Sequence, residues 1–295
     1  MAQQFQLPDG RNLDYQISGA KDGFPFVFIH GTPGAYPTLS GLKSVCEKKN
    51  VKLITFSRAG YGGSTRHRGR RVVDGVADTK ALLEHLGVQR CIVGGWSGGG
   101  PHALACAARL PGCLAVLCVA GAAPFDGEGL DFLAGQGEDN VEEFHAAMKG
   151  EEEIQKFCEA ARPGLQHADA AGIVKEMSSI LPEIDMRALT ENKTMGDDIA
   201  ASFAEAFRVS ADGWIDDDLE FVQPWGFDFS EIKISVFLYQ GSEDKMVPFA
   251  HGQWLASHLP REGLTEHLLD GEGHISIFIG REEAMVDELL GVARP

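Results

Sequence analysis

Apolar and polar positions alternate over residues 4–7 and 13–18, on either side of Pro8-Asp9-Gly10, which is the pattern of two strands paired through a turn. From residue 25 the pattern changes. Residues 25–29 and 51–56 are largely unbroken apolar runs, expected of strands buried on both faces of a parallel sheet. Helical spacing follows over residues 72–86, with Val73, Val76, Leu82, Leu83 and Leu86 in register and Gly87 as a stop. A short strand at 91–93, a helix past Pro101 and a strand over 113–122 continue the alternation. Between 125 and 231 buried-strand runs are missing, and helical patterns occupy 141–148, 151–161, 173–181 and 199–209. Strand patterns return at 234–239 and 264–269, with helices over 249–258 and 282–290. The order predicts an α/β architecture, a mostly parallel eight-stranded sheet flanked by helices. Residues 1–124 and 232–295 form its core and 125–231 a helical insertion, a cap or lid.

Composition adds a strong asymmetry to this layout. The 295 residues are 44% hydrophobic, enough for one large core, and carry a net charge of -17. Residues 126–231 hold 26 of the 43 acidic side chains but only 7 of the 26 basic ones, so the acidity belongs to the insertion. The simplest expectation is a set of solvated helical faces, with a surface that repels nucleic acid and anionic membranes. No apolar stretch approaches twenty residues, and Met1-Ala2-Gln3-Gln4 does not open a signal peptide, so neither a membrane span nor secretion is expected and a cytoplasmic location is. The six cysteines form no CxxC pair and fall in apolar patterns, as reduced core residues do.

Chemistry concentrates where the strand at 91–93 meets a glycine-rich turn, Gly94-Gly95-Trp96-Ser97-Gly98-Gly99-Gly100. Gly95-Trp96-Ser97-Gly98-Gly99 is a Gly-x-Ser-x-Gly elbow, in which a serine in a strained turn is flanked by glycines that let strand and helix pack closely beneath it. A serine hydroxyl needs an imidazole to take its proton and a carboxylate to orient that imidazole. In a parallel sheet these belong on loops at the carboxyl ends of strands. Asp244, in Gly241-Ser242-Glu243-Asp244, and His274, in Gly273-His274, occupy two such loops in the chain order Ser97, Asp244, His274. Asp126 is an alternative for the acid, Glu243 points elsewhere, and His102 reads as packing. The remaining histidines are scattered singly, which gives no metal site, and no glycine-rich loop has the context of a nucleotide or flavin site, so no cofactor is expected.

With His30-Gly31-Thr32-Pro33-Gly34, Gly60-Tyr61-Gly62-Gly63-Ser64 and Val247-Pro248 added, these motifs resemble the α/β-hydrolase superfamily over nearly the whole chain. The resemblance implies Ser97 as nucleophile, His274 as general base and then acid, and Asp244 as the orienting carboxylate. It also implies an oxyanion hole from the backbone N–H groups of Gly98 and of a residue in the 30–34 loop. Thr32 is the choice there because Pro33 has no N–H. His30 is expected to brace that loop. The superfamily's epoxide hydrolases and dehalogenases carry aspartate at the elbow, where this chain has Ser97. Proline iminopeptidases share the 30–34 loop but place tryptophan directly after the serine, whereas Trp96 precedes it here. The family's usual Asp-x-x-Gly loop is Ser57-Arg58-Ala59-Gly60, a departure whose consequence the sequence does not give. The expected activity is that of a carboxylic ester hydrolase acting on a small to medium, largely apolar ester or lactone. Trp96, Phe203, Phe207 and Trp214 are expected to bind the substrate, with Met195 and Trp225 as further apolar candidates. Carbon–carbon bond hydrolysis of a diketone-like metabolite, or ligand binding without catalysis on the same fold, remain open. The partner is a small molecule, and the sequence does not specify an oligomeric state.

Overall fold

A computed structural model describes residues 2–293. The N-terminal alternation forms an antiparallel pair, β1 (Gln3–Gln6) and β2 (Asn12–Gly19), with Gln3 opposite Tyr15. β2 also pairs antiparallel with β4 (Val51–Phe56). From β4 onward the sheet is parallel: β3 (Phe24–Ile29), β5 (Cys91–Trp96), β6 (Cys113–Val119), β7 (Ser235–Gly241) and β8 (Leu264–Leu269) complete the order β1-β2-β4-β3-β5-β6-β7-β8. The expected eight strands are present.

Residues on β3 alternate between two cores. Phe26 and Phe28 pack on one face with Leu42 of α1 (Ser40–Lys48) and Met285 and Leu289 of α11 (Glu282–Ala293). Val27 and Ile29 pack on the other with Leu82 of α2 (Gly75–His85), Leu104 of α3 (Gly99–Arg109) and Leu255 of α10 (Phe249–His258). Each such side chain contributes about 1.5–3 kcal/mol by leaving water. This two-sided burial explains why the strand reads as an unbroken apolar run. The register aligns Ile29 with Gly95, Trp96 with Val119, Val119 with Tyr239 and Gly241 with Leu269. The loops after β3, β5, β7 and β8 therefore emerge along one edge.

Six helices separate β6 from β7: α4 (Glu138–Lys149), α5 (Glu151–Gln166), α6 (Ala170–Glu176), α7 (Glu183–Glu191), α8 (Lys193–Ala206) and α9 (Asp212–Phe221). The pattern anticipated four of these. The helix expected over 173–181 ends at Glu176; residues 177–180 form turns, and a new helix starts after Pro182, the N-cap of α7. The strand expected to reach 122 stops at Val119, and Ala120 turns into the left-handed region at φ 48°. α1, α7 and α9 escaped the apolar periodicity. In α9 the reason is that Asp216, Asp217, Asp218 and Glu220 are themselves buried, contrary to the solvated-face expectation.

All six cysteines are buried and unpaired. Among the described residues no helix is long and apolar enough to cross a membrane.

Candidate active site

Ser97 follows β5 directly and takes φ 56°, a conformation costly for a residue with a Cβ. Its backbone is held by Ser97 N–H to Val119 O at 2.9 Å and Gly100 N–H to Ser97 O at 2.8 Å. The flanking glycines are sterically required. A Cβ on Gly95 would lie 2.0 Å from Gly99 O, and one on Gly99 would lie 2.3 Å from Ile29 O. Close packing of strand, turn and α3 thus fixes the elbow.

His274 sits on the loop after β8 and donates or accepts at Nδ1 with Asp244 Oδ2, 2.8 Å away. The Asp244 carboxylate is otherwise occupied: Oδ1 accepts from the backbone N–H groups of Met246 and Val247, both at 2.8 Å, and Oδ2 from Gln240 Nε2 at 3.1 Å. So encircled, Asp244 acts as an acceptor, which assigns the Nδ1 proton to His274 and leaves Nε2 as the proton-accepting atom. Burial pushes the His274 pKa down, and the charge and hydrogen bond of Asp244, helped by Asp185, outweigh it, so the ring titrates above the ordinary imidazole value. Asp126 and Glu243 are exposed, and neither is bonded to His274.

The loop carrying His274 is held from above by a residue that the sequence reading passed over. Asp185 of α7 is fully buried, and its carboxylate accepts the N–H groups of His274 at 2.7 Å, Ile275 at 3.0 Å and Ser276 at 2.8 Å. Trp96 steadies the loop from the other side through Nε1 to His274 O at 3.1 Å. Gln240 is a second omission. The signal for both was weak, one acid among many and one glutamine inside a strand.

The 30–34 loop abuts the elbow: a Cβ on Gly31 would lie 3.2 Å from Ser97 Cβ. His30 braces it as expected, with Nδ1 2.7 Å from Gly31 O and Nε2 accepting from Arg58 N–H at 2.9 Å. Burial, reinforced by the Arg58 charge, keeps its pKa well below the usual range, so it stays neutral. Among the described residues, neither the Thr32 nor the Gly98 amide N–H donates to a protein acceptor. Behind this loop lies a buried ionic cluster. Asp217 accepts from Thr32 Oγ1 at 2.5 Å, Tyr61 OH at 2.8 Å, Arg70 Nη2 at 2.5 Å and Arg58 Nη2. Arg70 also meets Glu220 at 2.8 Å, and Glu220 lies 3.0 Å from His102 Nε2. His102, Asp217 and Glu220 approach closely enough to share a cation. Arg70, lying between the two carboxylates, already supplies the positive charge.

Ser97 stands between two cavities. The larger, about 240 Å³, is bordered by Gly98, Phe144, Phe157, Leu165, Trp214 and Phe221. The smaller, about 70 Å³, is bordered by His274, Trp96, Phe203, Ile199 and Ile173. Thr32, Pro33, Ser97, Met177 and Met246 border both. Trp96, Phe203 and Trp214 thus reach cavity walls. Phe207 does not. It is fully buried between Phe203 and Trp214 at ring-centroid distances of 6.4 and 5.6 Å and borders neither cavity. Met195 and Trp225 also border neither.

The larger cavity is less apolar than expected. Glu143 of α4 and Asp218 of α9 both line it, and Trp214 Nε1 donates to Glu143 Oε1 at 2.5 Å. Glu143 keeps some surface toward the cavity but is otherwise enclosed by protein, and that enclosure sets its protonation. Burial raises its pKa to about 7 against the opposing hydrogen bonds, and burial together with the Glu143 charge raises that of Asp218 as well.

Residues 25–280 match the family described as the alpha/beta hydrolase fold, and the chain belongs to that family. It is similar to an uncharacterized hydrolase, YcgS, of Bacillus subtilis, at 24% identity over 96% of this chain and 94% of that one. It is also similar to a probable proline iminopeptidase of Leptolyngbya boryana, at 35% identity over 31% of this chain and 29% of that one, so this alignment spans less than a third of either protein. Among solved structures, an esterase from Thermogutta terrifontis superposes with a TM-score of 0.70 at 17% identity, over 99% of both chains. That likeness concerns the fold.

Proposed function

We propose that the protein is a serine hydrolase that cleaves a carboxylic ester or lactone through an acyl-Ser97 intermediate, with the helices between β6 and β7 as its cap. The observation that carries this reading is the left-handed Ser97 at the mouth of both cavities, one of which it shares with a His274 already paired to Asp244. In this reading His274 Nε2 takes the Ser97 proton as Oγ attacks the carbonyl carbon, and Asp244 stabilises the resulting imidazolium through the Nδ1–H. The Thr32 and Gly98 N–H groups receive the charge that develops on the carbonyl oxygen. The same imidazolium then protonates the departing alcohol oxygen, and a water, deprotonated by His274, releases the acid. Because the group that leaves must face His274, the smaller cavity takes the alcohol side and the larger the acyl side. The six unpaired cysteines support a reducing, cytoplasmic setting.

Replacing Ser97 by Ala should abolish turnover of p-nitrophenyl butyrate and labelling by a fluorophosphonate, with an unchanged circular dichroism spectrum. Retained turnover would overturn the assignment.

A second reading is favoured by one observation, the Glu143–Asp218 pair in the roof of the larger cavity. A carboxyl pair in a mostly apolar wall accepts a substrate amine, and the matching proline iminopeptidase suggests aminoacyl esters or amides as the class. Faster cleavage of prolyl p-nitroanilide than of p-nitrophenyl butyrate would select this reading, with the same nucleophile.

A further inference from the structure

The Gly31–Thr32 peptide carries the most exacting task in the site, because its N–H must point at a developing charge before the reaction begins. It lies in a loop, so no strand or helix ladder fixes its plane. Its orientation is instead fixed from the carbonyl side. In a planar trans peptide the C=O and N–H point in opposite directions, so whatever holds Gly31 O also aims Thr32 N–H. Gly31 O is held by Arg58 Nη2 at 3.1 Å and His30 Nδ1 at 2.7 Å. The same guanidinium grips His30 O through Nη1 and donates to Thr32 Oγ1 at 2.8 Å. Arg58 therefore fastens three consecutive residues of the loop.

Arg58 is itself fastened by the insertion. Asp217 of α9, with no exposed surface, binds the Arg58 guanidinium and accepts the Thr32 hydroxyl with the same oxygen, Oδ2. Tyr61 and Arg70 supply its remaining donors, so the carboxylate has no freedom to drift. On the far side of Thr32 is the other expected donor residue: a Cβ on Gly98 would lie 2.2 Å from Thr32 Oγ1. The hydroxyl thus fits between the elbow and the carboxylate.

We propose that Asp217, acting with Arg58 on the Thr32 side chain and the Gly31–Thr32 peptide, is a positioning residue for the oxyanion site, so that a helix of the insertion sets the aim of a donor carried by the core. This rests on the acyl-transfer reading above. It also gives the Ser57-Arg58-Ala59-Gly60 loop a role: Arg58, whose backbone N–H and side chain both serve the 30–34 loop, is its working residue.

The test uses Thr32→Val, which removes one hydroxyl and keeps the backbone N–H and the side-chain shape, with Thr32→Ser as rescue and Asp217→Asn as the partner variant. Loss of an oxyanion donor costs about 100- to 1000-fold in rate, and mis-aiming one costs less, so Thr32→Val should lower kcat on p-nitrophenyl butyrate by about 10- to 100-fold. KM should stay within about twofold, because the ground-state carbonyl depends little on the donor. Inhibition by a trifluoromethyl ketone, which forms the tetrahedral adduct, should weaken in parallel with kcat. Thr32→Ser should restore most of the rate, and the Thr32→Val/Asp217→Asn double variant should be no slower than the slower single variant. A Thr32→Val kcat within twofold of the parent, Thr32→Ser as slow as Thr32→Val, or unchanged ketone affinity at reduced kcat would each overturn the proposal. If Asp217→Asn does not fold, the valine and serine pair decides alone. Ser97→Ala in the same assay separates the two levels: Ser97-dependent turnover with an indifferent Thr32→Val removes the clamp only, and turnover that survives Ser97→Ala removes the reading beneath it.

Discussion

At the scale of single residues, the site depends on which atoms are already committed. Asp244 spends its lone pairs on Met246, Val247, Gln240 and His274. Its charge lifts the His274 pKa above the ordinary imidazole value despite burial. The imidazole works as a base only when neutral, so activity should be lost as pH falls through that raised pKa. The acidic limb of kcat/KM is therefore expected above about 6.5, the unperturbed value. Asp244→Asn keeps the volume but removes the charge, and should move that limb down while lowering kcat by about 10⁴-fold, read from a pH–rate profile. A limb that stays in place would mean that another group titrates. Ser97, Asp244 and His274 were legible in the sequence because each sits in a motif with its own turn chemistry. Asp185 and Asp217 were not, because an acid that binds backbone amides or arginines looks the same in sequence as one that faces water.

At the scale of elements, the insertion departs most from its sequence pattern. Hydrophobic periodicity detects a helix by its apolar stripe, and α9 buries carboxylates on two of its faces instead. Asp217 meets Arg58 and Arg70 toward the core, and Asp218 meets Glu143 of α4 toward the cavity. The two faces respond to pH in opposite ways. Asp217 is pushed up by burial but held far below its ordinary value by the two arginines, so its stabilisation is complete above about pH 4, the unfolded pKa, and is lost only in stronger acid. Glu143 titrates near 7 in the fold against 4.5 unfolded, so the native state binds the extra proton between these values, and stability should fall as pH rises through that window. Glu143→Gln, which retains an acceptor for Trp214 Nε1, should flatten this slope and raise stability at pH 8. Urea denaturation at pH 5 and pH 8 measures it, and an unchanged difference between the two would exclude the raised Glu143 pKa.

At the scale of the whole molecule, the eight strands were readable from periodicity, because two-sided burial leaves long apolar runs, whereas their order in the sheet, with β4 between β2 and β3, was not. The shape of the cavity was not, since it is formed between the edge of the sheet and helices whose inward residues are partly polar. Phe207 illustrates the limit: its position on an apolar stripe is real, but the stripe faces Phe203 and Trp214 within the insertion. The unequal chambers on either side of Ser97, about 240 and 70 Å³, carry a prediction that the sequence did not contain. Ethyl hexanoate and hexyl acetate are isomers with the same ester group and nearly the same hydrophobicity, and differ only in which side is long. The chamber sizes favour ethyl hexanoate, by about tenfold in kcat/KM if three or four methylenes are misplaced at a modest fraction of their burial energy. A pH-stat comparison reads this directly, and a preference for hexyl acetate would reverse the assignment of sides. A small part of the insertion's acidity finds its counterpart here: Arg58, Arg66 and Arg70 of the core meet Asp217, Asp216 and Glu220 where the two parts of the chain join.

That junction restricts how such a protein can diversify. An insertion joined only by apolar contact is interchangeable, since any oily surface of similar contour will seat on it. One that ends in Asp217 is keyed. A foreign set of helices without the aspartate would leave Arg58 and Arg70 charged and dry, and a core without those arginines would strand the aspartate, at a cost of about 3–5 kcal/mol in either case. By the same reasoning, an exchange of the insertion in this protein is expected to preserve folding only if α9 and the loops bearing Arg58 and Arg70 are exchanged together.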